Sequence, residues 1–360
     1  MANFLIITSG TLGDILPYIT LGEAIQKRGH QVCIISPKYI HSYVKAAQLP
    51  VIAASHQIIN PQTTKKASLL WDNWIKDPLN LKAKRDLNRQ FNGQQKWQGI
   101  YQSIKDLLEY CDDIDGIICN PQEHIVGSII AEKINIPLIE VVVTPQLIYQ
   151  PNNWWRLSRT TELKDNQKQA YQEFRQLLGL TDSETWKQYW QYNRVIFAAS
   201  PHLYSEPPDV PQDNHVGFFF YNNPNWQDWQ PNQELKQFVA SDSKPLVLSF
   251  SSQPMRDSKE FIAIHVRAAA ILNRKIVIQR GWAEFNEKNL PADISSDTVM
   301  FVDFIPQHWL FSNSAAVITH GGIGTVARAL LYGCPLLVEP YTHEQCFNAH
   351  RILNWGLLKK

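Results

Sequence analysis

Short apolar runs recur along this chain, each followed by a turn and a helix-like stretch, and this alternation restricts the fold more than any single motif does. The runs in the first half are Phe4–Ser9, Val32–Ser36, Gly116–Cys119, Leu138–Val143 and Val195–Ala199. Those in the second half are Leu246–Ser249, Lys275–Gln279, Val299–Val302, Ala315–Thr319 and Pro335–Val338. Strands alternating with helices argue for parallel βαβ units wound into an open sheet. Between the two sets, Tyr221–Ser243 is rich in Asn, Pro, Trp and Gln and has no sustained period, as expected of a linker. With 360 residues there is room for two such domains, each with its own core. The division expected is therefore 1–220, a linker over 221–243, and 244–360.

Charge and cysteine usage narrow the class. A net charge of +1, from 34 basic and 33 acidic side chains, gives no field that would draw nucleic acid. The five cysteines are widely spaced, with no Cys-x-x-Cys pair, which suits a reduced, cytoplasmic protein. The N-terminus enters Phe4–Thr8 without a charged leader, and no run approaches the roughly 20 apolar residues of a spanning helix.

The segment Val317–Thr325 reads Val-Ile-Thr-His-Gly-Gly-Ile-Gly-Thr, a strand running through a turn into a helix. Gly321, Gly322 and Gly324 let backbone approach an anion without a Cβ in the way, and the helix start offers free N–H groups and a positive dipole end. A diphosphate fits there, with His320 as an added donor. At the other end of the chain, Gly10-Thr-Leu-Gly-Asp14 follows the first strand. Pro17 then opens a helix that closes at Gly29, with Lys27 and Arg28 in its last turn.

Around the glycine turn lie Phe301-Val-Asp-Phe-Ile-Pro-Gln-His-Trp-Leu-Phe311 upstream and Pro335–Glu339 followed by Pro340-Tyr-Thr-His-Glu-Gln-Cys-Phe-Asn-Ala349 downstream. This order (a Pro-Gln segment, His-Gly-Gly-x-Gly-Thr, a Gly-x-Pro strand, an acidic-Gln pair) resembles the donor half of the family 1 glycosyltransferases, nearest their bacterial and sterol-glucosyltransferase branch. The opening unit, residues 1–36, resembles the same family. The resemblance implies the GT-B fold: two Rossmann-like, doubly wound parallel-sheet domains facing across a cleft, with the active site at the carboxyl ends of the strands.

The resemblance also implies roles. Inverting transfer needs a base for the acceptor hydroxyl and stabilisation of the departing diphosphate. Asp14 matches the position where plant members carry a catalytic His and several bacterial members an Asp; its structural alternative is a helix cap. Asn120 stands where plant members orient their His with an Asp, and His124 is a second, weaker candidate base. On the donor side, Phe304 stands where many relatives stack a Trp on uracil, with Gln307 near the base edge. Ser251 and Ser252 replace a Gly-Ser pair near the phosphates. His320, Gly321, Gly322, Gly324 and Thr325 form the diphosphate turn, and Glu344 and Gln345 match the pair that holds the sugar hydroxyls. Arg328, where plant relatives have a Glu for the ribose, and His343 depart from the pattern.

The function expected is transfer of a hexose, glucose from UDP-glucose first, to a hydroxyl of a lipophilic sterol, carotenoid, other isoprenoid or polyketide acceptor. No metal and no cofactor are called for beyond the donor substrate, a UDP-sugar. A non-catalytic nucleotide-sugar binder acting as a partner subunit is the alternative, and an epimerase finds no support. Trp71, Trp74, Trp154, Trp155, Trp186 and Trp190 could line the acceptor pocket, and Asn153–Leu157 could touch a membrane surface. Because relatives continue beyond the equivalent of Lys360, apolar surface on the second domain is expected to be exposed or to pair with another copy.

Overall fold

The computed structural model describes residues 1–54, 94–144, 172–173, 175–181, 195–204, 214–240, 243–255 and 257–354. These form two compact units, the first ending at Asn223 and the second running on from Pro224. The tryptophans proposed for the acceptor pocket, and Asn153–Leu157, lie outside the described residues.

The first unit holds strands β1 (Asn3–Ile7), β2 (Gln31–Ser36), β3 (Val51–Ala53), β4 (Gly116–Cys119), β5 (Leu138–Val142) and β6 (Val195–Phe197). They form one sheet in the order β3-β2-β1-β4-β5-β6, with every pairing parallel. Helices α1 (Leu12–Lys27), α2 (His41–Ala46), α3 (Gln94–Leu108) and α4 (His124–Ile134) belong to the connections. The strands are apolar at nearly every position because helices cover parallel sheets on both faces. Leu5, Ile7, Ile117, Cys119 and Leu138 are buried with Ile104 and Leu107 of α3 and Val126, Ile129 and Ile130 of α4. At about 1.5–3 kcal/mol for each fully buried large aliphatic side chain, this packing is what assembles the sheet.

The second unit holds β7 (Leu246–Ser249), β8 (Ile276–Gln279), β9 (Val299–Val302), β10 (Ala316–Thr319) and β11 (Leu336–Val338), ordered β11-β10-β7-β8-β9 and again all parallel. Its helices are α5 (Gln233–Val239), α6 (Ser258–Ile271), α7 (Gln307–Ser312), α8 (Ile323–Leu331) and α9 (His343–Asn354). Leu248, Ile276, Ile278 and Ile318 from the sheet, with Phe250 just beyond β7, pack with Ile262, Val266 and Ala269 of α6. Leu337, on the edge strand β11, and Leu331, closing α8, are exposed.

In each sheet the first strand lies between strands reached by crossovers in opposite directions. A switch point results between β1 and β4, and another between β7 and β10. Loops at the carboxyl ends diverge there and leave a crevice for ligands.

Three expectations need correction. Strand β3 was not read, since three residues at a sheet edge are too short to show a period. Helix α1 does not open at Pro17 but at Leu12, with Pro17 inside it. Finally, the stretch read as a linker holds α5, whose start is capped by Asn232 Oδ1 accepting from Leu235 N at 2.8 Å.

Candidate functional site

At the first switch point the chain leaves β1 through Thr8, whose N–H and hydroxyl both donate to Ile35 O (3.0 and 2.9 Å). The next two carbonyls are held from opposite sides. Asn120, buried at the end of β4, donates from Nδ2 to Ser9 O at 2.6 Å, while the Tyr39 hydroxyl, from the segment after β2, donates to Gly10 O. Asn120 also accepts Glu123 N on Oδ1 at 3.2 Å, so both ends of its amide are spent on backbone. Gly10 adopts φ +119°, and a Cβ there would lie 2.6 Å from Asp14 Oδ2. Glycine is therefore needed on two counts, the backbone angle and the close approach of Asp14.

This turn delivers Asp14 to the third position of α1, where one oxygen, Oδ2, accepts the Thr11 N–H at 2.7 Å and the Thr11 hydroxyl at 3.0 Å. The capping alternative is thus realised, and it does not exhaust the carboxylate: Oδ1 has no hydrogen-bond partner among the described residues. Burial raises the Asp14 pKa above its usual 3.8, with the two Thr11 bonds opposing that rise. A carboxylate with one oxygen clamped, one oxygen open and a raised proton affinity has the character of a general base.

His124, the second candidate base, follows Asn120 by four residues. It is buried at the start of α4, with Nδ1 2.7 Å from Glu140 Oε2 on β5, a pairing that ties that helix end to the sheet. The Tyr18 hydroxyl donates to the neighbouring Val141 carbonyl.

In the second unit, the residues singled out from sequence lie on loops and in the first turns of helices along the carboxyl edge of one sheet. After β10, Gly321 (φ +90°) and Gly322 turn the chain into α8. A Cβ at Gly321 would be 2.6 Å from Val338 Cγ1, and one at Gly322 would be 2.6 Å from His320 Nε2. Gly322 caps α8 with no side-chain bond, and the first turn carries no acidic residue. Gly324 is exposed, with open space where a side chain would begin, and Thr325 is buried. The start of α8 is thus an uncapped cluster of N–H groups beside a switch point, an arrangement suited to an anion.

His320, the residue expected to add a donor, leads into this turn. Its ring is buried beneath the glycine turn, and burial lowers its pKa to about 4, with a bond to the Ser249 backbone opposing. A neutral imidazole has a single N–H. In the neutral ring that proton serves the bond to the Ser249 backbone.

After β7, Ser251 takes the left-handed φ of +46° that glycine prefers, at the position where the Gly-Ser pair was expected. Its carbonyl accepts Trp282 N at 2.8 Å, and a Cβ on Gly281 would come within 2.5 Å of that oxygen. The hydroxyls of Ser251 and Ser252 make no hydrogen bond among the described residues. At the far edge, after β9, Phe304 is 47% exposed and stacks on Trp226, and the Gln307 side chain likewise has no hydrogen bond among the described residues.

Beyond β11, Gln345 is largely spent on its own loop. Oε1 accepts Tyr341 N (2.7 Å) and Thr342 N (3.1 Å), and Nε2 reaches Gln253 Oε1 at 3.4 Å. Glu344 Oε1 accepts Asn348 Nδ2 at 2.9 Å, and the same nitrogen donates to Gly321 O at 2.9 Å. Asn348 therefore couples the acidic residue to the glycine turn. Neither Asn348 nor Gln253 was singled out from sequence; the one available signal was the Glu344–Asn348 spacing, which puts both on one face of α9. Arg328 is buried on α8 and bonded to Tyr332, and burial lowers its pKa.

Comparison with known proteins agrees with this geometry. Residues 4–148 match the glycosyltransferase family 28 N-terminal domain, and residues 267–357 match the C-terminal domain of erythromycin biosynthesis protein CIII-like proteins. A sterol 3-beta-glucosyltransferase of Arabidopsis thaliana is 24% identical over 98% of this chain and 58% of its own length. One from Debaryomyces hansenii is 23% identical over 98% of this chain and 23% of its own. The chain thus spans between about a quarter and somewhat over half of these relatives. Among solved structures, the glycosyltransferase SnogD from Streptomyces nogalater superposes with a TM-score of 0.67 at 18% identity, covering 99% of this chain and 86% of that one. VinC, solved in complex with dTDP, gives 0.67 at 19% identity, covering 99% and 85%.

Proposed function

Since the chain belongs to the family 1 GT-B glycosyltransferases, we propose that it transfers a hexose from a nucleoside diphosphate sugar to an acceptor hydroxyl, with inversion, and that the donor is UDP-glucose and the acceptor a lipophilic alcohol of the sterol or isoprenoid kind. The observation that carries this reading is the uncapped start of α8 at the β7/β10 switch point, flanked along one sheet edge by Glu344 and Gln345 on one side and by Phe304 and Gln307 on the other.

Neighbouring strands are about 4.8 Å apart, so the four steps from β11 to β9 span about 19 Å. A nucleotide sugar laid along that edge puts its hexose near Glu344 and Gln345, its diphosphate on Gly321, Gly322, Gly324 and Thr325 beside Ser251 and Ser252, and its base on Phe304. In the reaction, the acceptor oxygen attacks the anomeric carbon opposite the diphosphate and gives its proton to Asp14 Oδ1. The bond between that carbon and the phosphate oxygen breaks, and the electron pair leaves with the nucleoside diphosphate. Backbone N–H groups of the glycine turn meet the negative charge as it develops, and a second proton on His320, drawn by that charge, adds a donor. The sterol preference rests on the names of the sequence relatives. Among the described residues no helix is long and apolar enough to cross a membrane.

A thermal-shift screen of nucleotide sugars tests the donor. Ligand at 100 times its dissociation constant stabilises the folded protein by about 2.7 kcal/mol. UDP-glucose should give the largest shift, and a flat response to every nucleotide sugar would defeat the proposal. A shift without turnover on any hydroxylated lipid would favour the non-catalytic binder.

A further inference from the structure

We propose that Trp226 is part of the nucleobase site: it lies face to face against one side of Phe304, so that a pyrimidine on the opposite side completes a three-ring stack. The inference rests on the assignment of Phe304 to the base given above.

Trp226 closes the short turn Pro224–Trp226, and its ring lies 4.8 Å from that of Phe304, centroid to centroid, at 24°. With that face covered, Phe304 is still 47% exposed, and its other face meets no aromatic ring among the described residues. A second contact fastens the same two segments together. Trp229 meets Trp309 of α7 edge to face, at 5.5 Å and 64°. The chain around residues 226–229 therefore grips the stretch that carries Phe304 and Gln307 at two points.

A half-exposed phenylalanine on a loop would ordinarily turn among rotamers and lose part of any stacking energy in being ordered. A ring already stacked behind it fixes its tilt before ligand arrives, and pre-organisation of that kind returns as affinity. Gln307, with an amide uncommitted among the described residues, offers a donor and an acceptor to the edge of a flat heterocycle. The ring pair carries no charge and offers nothing to a bare diphosphate.

Calorimetric titration of the whole chain with UDP, uridine and inorganic pyrophosphate tests this. An aromatic pair contributes an amount equivalent to about three- to tenfold in affinity. Trp226→Ala should therefore weaken UDP and uridine by about fivefold and leave pyrophosphate unchanged, and Trp226→Phe should restore most of the loss. Phe304→Ala should cost more than either. UDP affinity that is unchanged in Trp226→Ala, or tighter because Trp226 had occupied the place of the base, overturns the inference, as does an equal loss for pyrophosphate. Should the parent bind pyrophosphate as tightly as UDP and Phe304→Ala alter neither, the assignment of Phe304 itself fails. A loss in Phe304→Ala with none in Trp226→Ala defeats the role of Trp226 alone.

Discussion

Helices α1 and α8 both begin just after a parallel strand, at the switch point of their sheets, through a turn that uses a left-handed glycine, yet they treat their N-terminal ends in opposite ways. The start of α1 is filled from within: Asp14 folds back over Gly10, and one of its oxygens takes both the backbone and hydroxyl protons of Thr11. The start of α8 has neither a side-chain cap nor an acid in its first turn. Both ends carry the same partial positive charge and the same unsatisfied N–H groups. In the first unit that field holds a carboxylate of the protein itself, the base of the proposed reaction. In the second it is open to the diphosphate that the proposal places there.

The largest expected effect lies on the filled end. Asp14→Asn keeps an oxygen for Thr11 but removes the proton acceptor, so transfer should fall by about 10²–10⁴-fold, the usual range for lost general-base catalysis, while UDP binding persists. Because burial raises the Asp14 pKa, activity should decline toward acid through a midpoint above 3.8. Thr11→Ala removes one bond that opposes that rise, and should move the midpoint further up. Comparable turnover in Asp14→Asn would show that α1 is merely capped.

Next comes the ring under the open end. His320 in the folded chain has a pKa of about 4, against about 6.5 when unfolded, so below pH 6.5 the unfolded state takes up the proton first. Stability should therefore fall as the pH is lowered from about 6.5 to about 4 and then level off. The total for this group is about 3 kcal/mol, read as the difference between parent and His320→Gln in denaturant titrations across that range. Saturating UDP should reduce the loss, since a bound diphosphate favours the imidazolium. A pH dependence that is the same in both proteins, with and without UDP, would remove His320 from the site.

A direct exchange of character between the two ends is also feasible, because the space above Gly324 is open. Gly324→Asp puts a carboxylate into the first turn of α8, as Asp14 does in α1. The apo protein should gain about 0.3–1 kcal/mol from the dipole, while UDP binding weakens by at least about tenfold through like-charge repulsion. Gly324→Ala controls for the added Cβ. UDP affinity that survives the aspartate would place the diphosphate elsewhere.

How much of this could be read from sequence depends on whether the controlling contact is local. The strands were legible because burial on both faces leaves unbroken apolar runs, and the glycine turn because close backbone approach demands that residue type. Asp14 could be located, but its geometry was misjudged. Pro17 suggested a helix start, whereas Thr11 and Asp14, three residues apart, form the cap that starts α1 five residues earlier. What remained hidden was long-range: Asn120 holding Ser9, Asn348 joining Glu344 to Gly321, and Trp226 lying on Phe304. None of these pairings leaves a periodic trace, and polar side chains directed at backbone look the same in sequence as solvated ones.

The smallest expected effect concerns a third turn of the same kind. The chain leaves β1 through Gly10 and β10 through Gly321, both at positive φ, but it leaves β7 through Ser251 at +46°. An L-residue in that region is strained by about 1–2 kcal/mol. The cost is tolerated here because Trp282 N holds the Ser251 carbonyl and the turn at Gly281 packs within reach of it. Ser251→Gly removes the strain at the expense of greater freedom in the unfolded chain, about 0.5–1 kcal/mol, so the net gain should be at most about 1 kcal/mol, visible as a higher denaturation midpoint at unchanged slope. The same substitution deletes a hydroxyl that has no hydrogen bond among the described residues. If the hydroxyl serves the diphosphate, the stabilised variant should bind UDP a few-fold more weakly. A variant that is both more stable and undiminished in UDP affinity would show that Ser251 is strain without service, and that at this turn serine has merely replaced the glycine kept at Gly10 and Gly321.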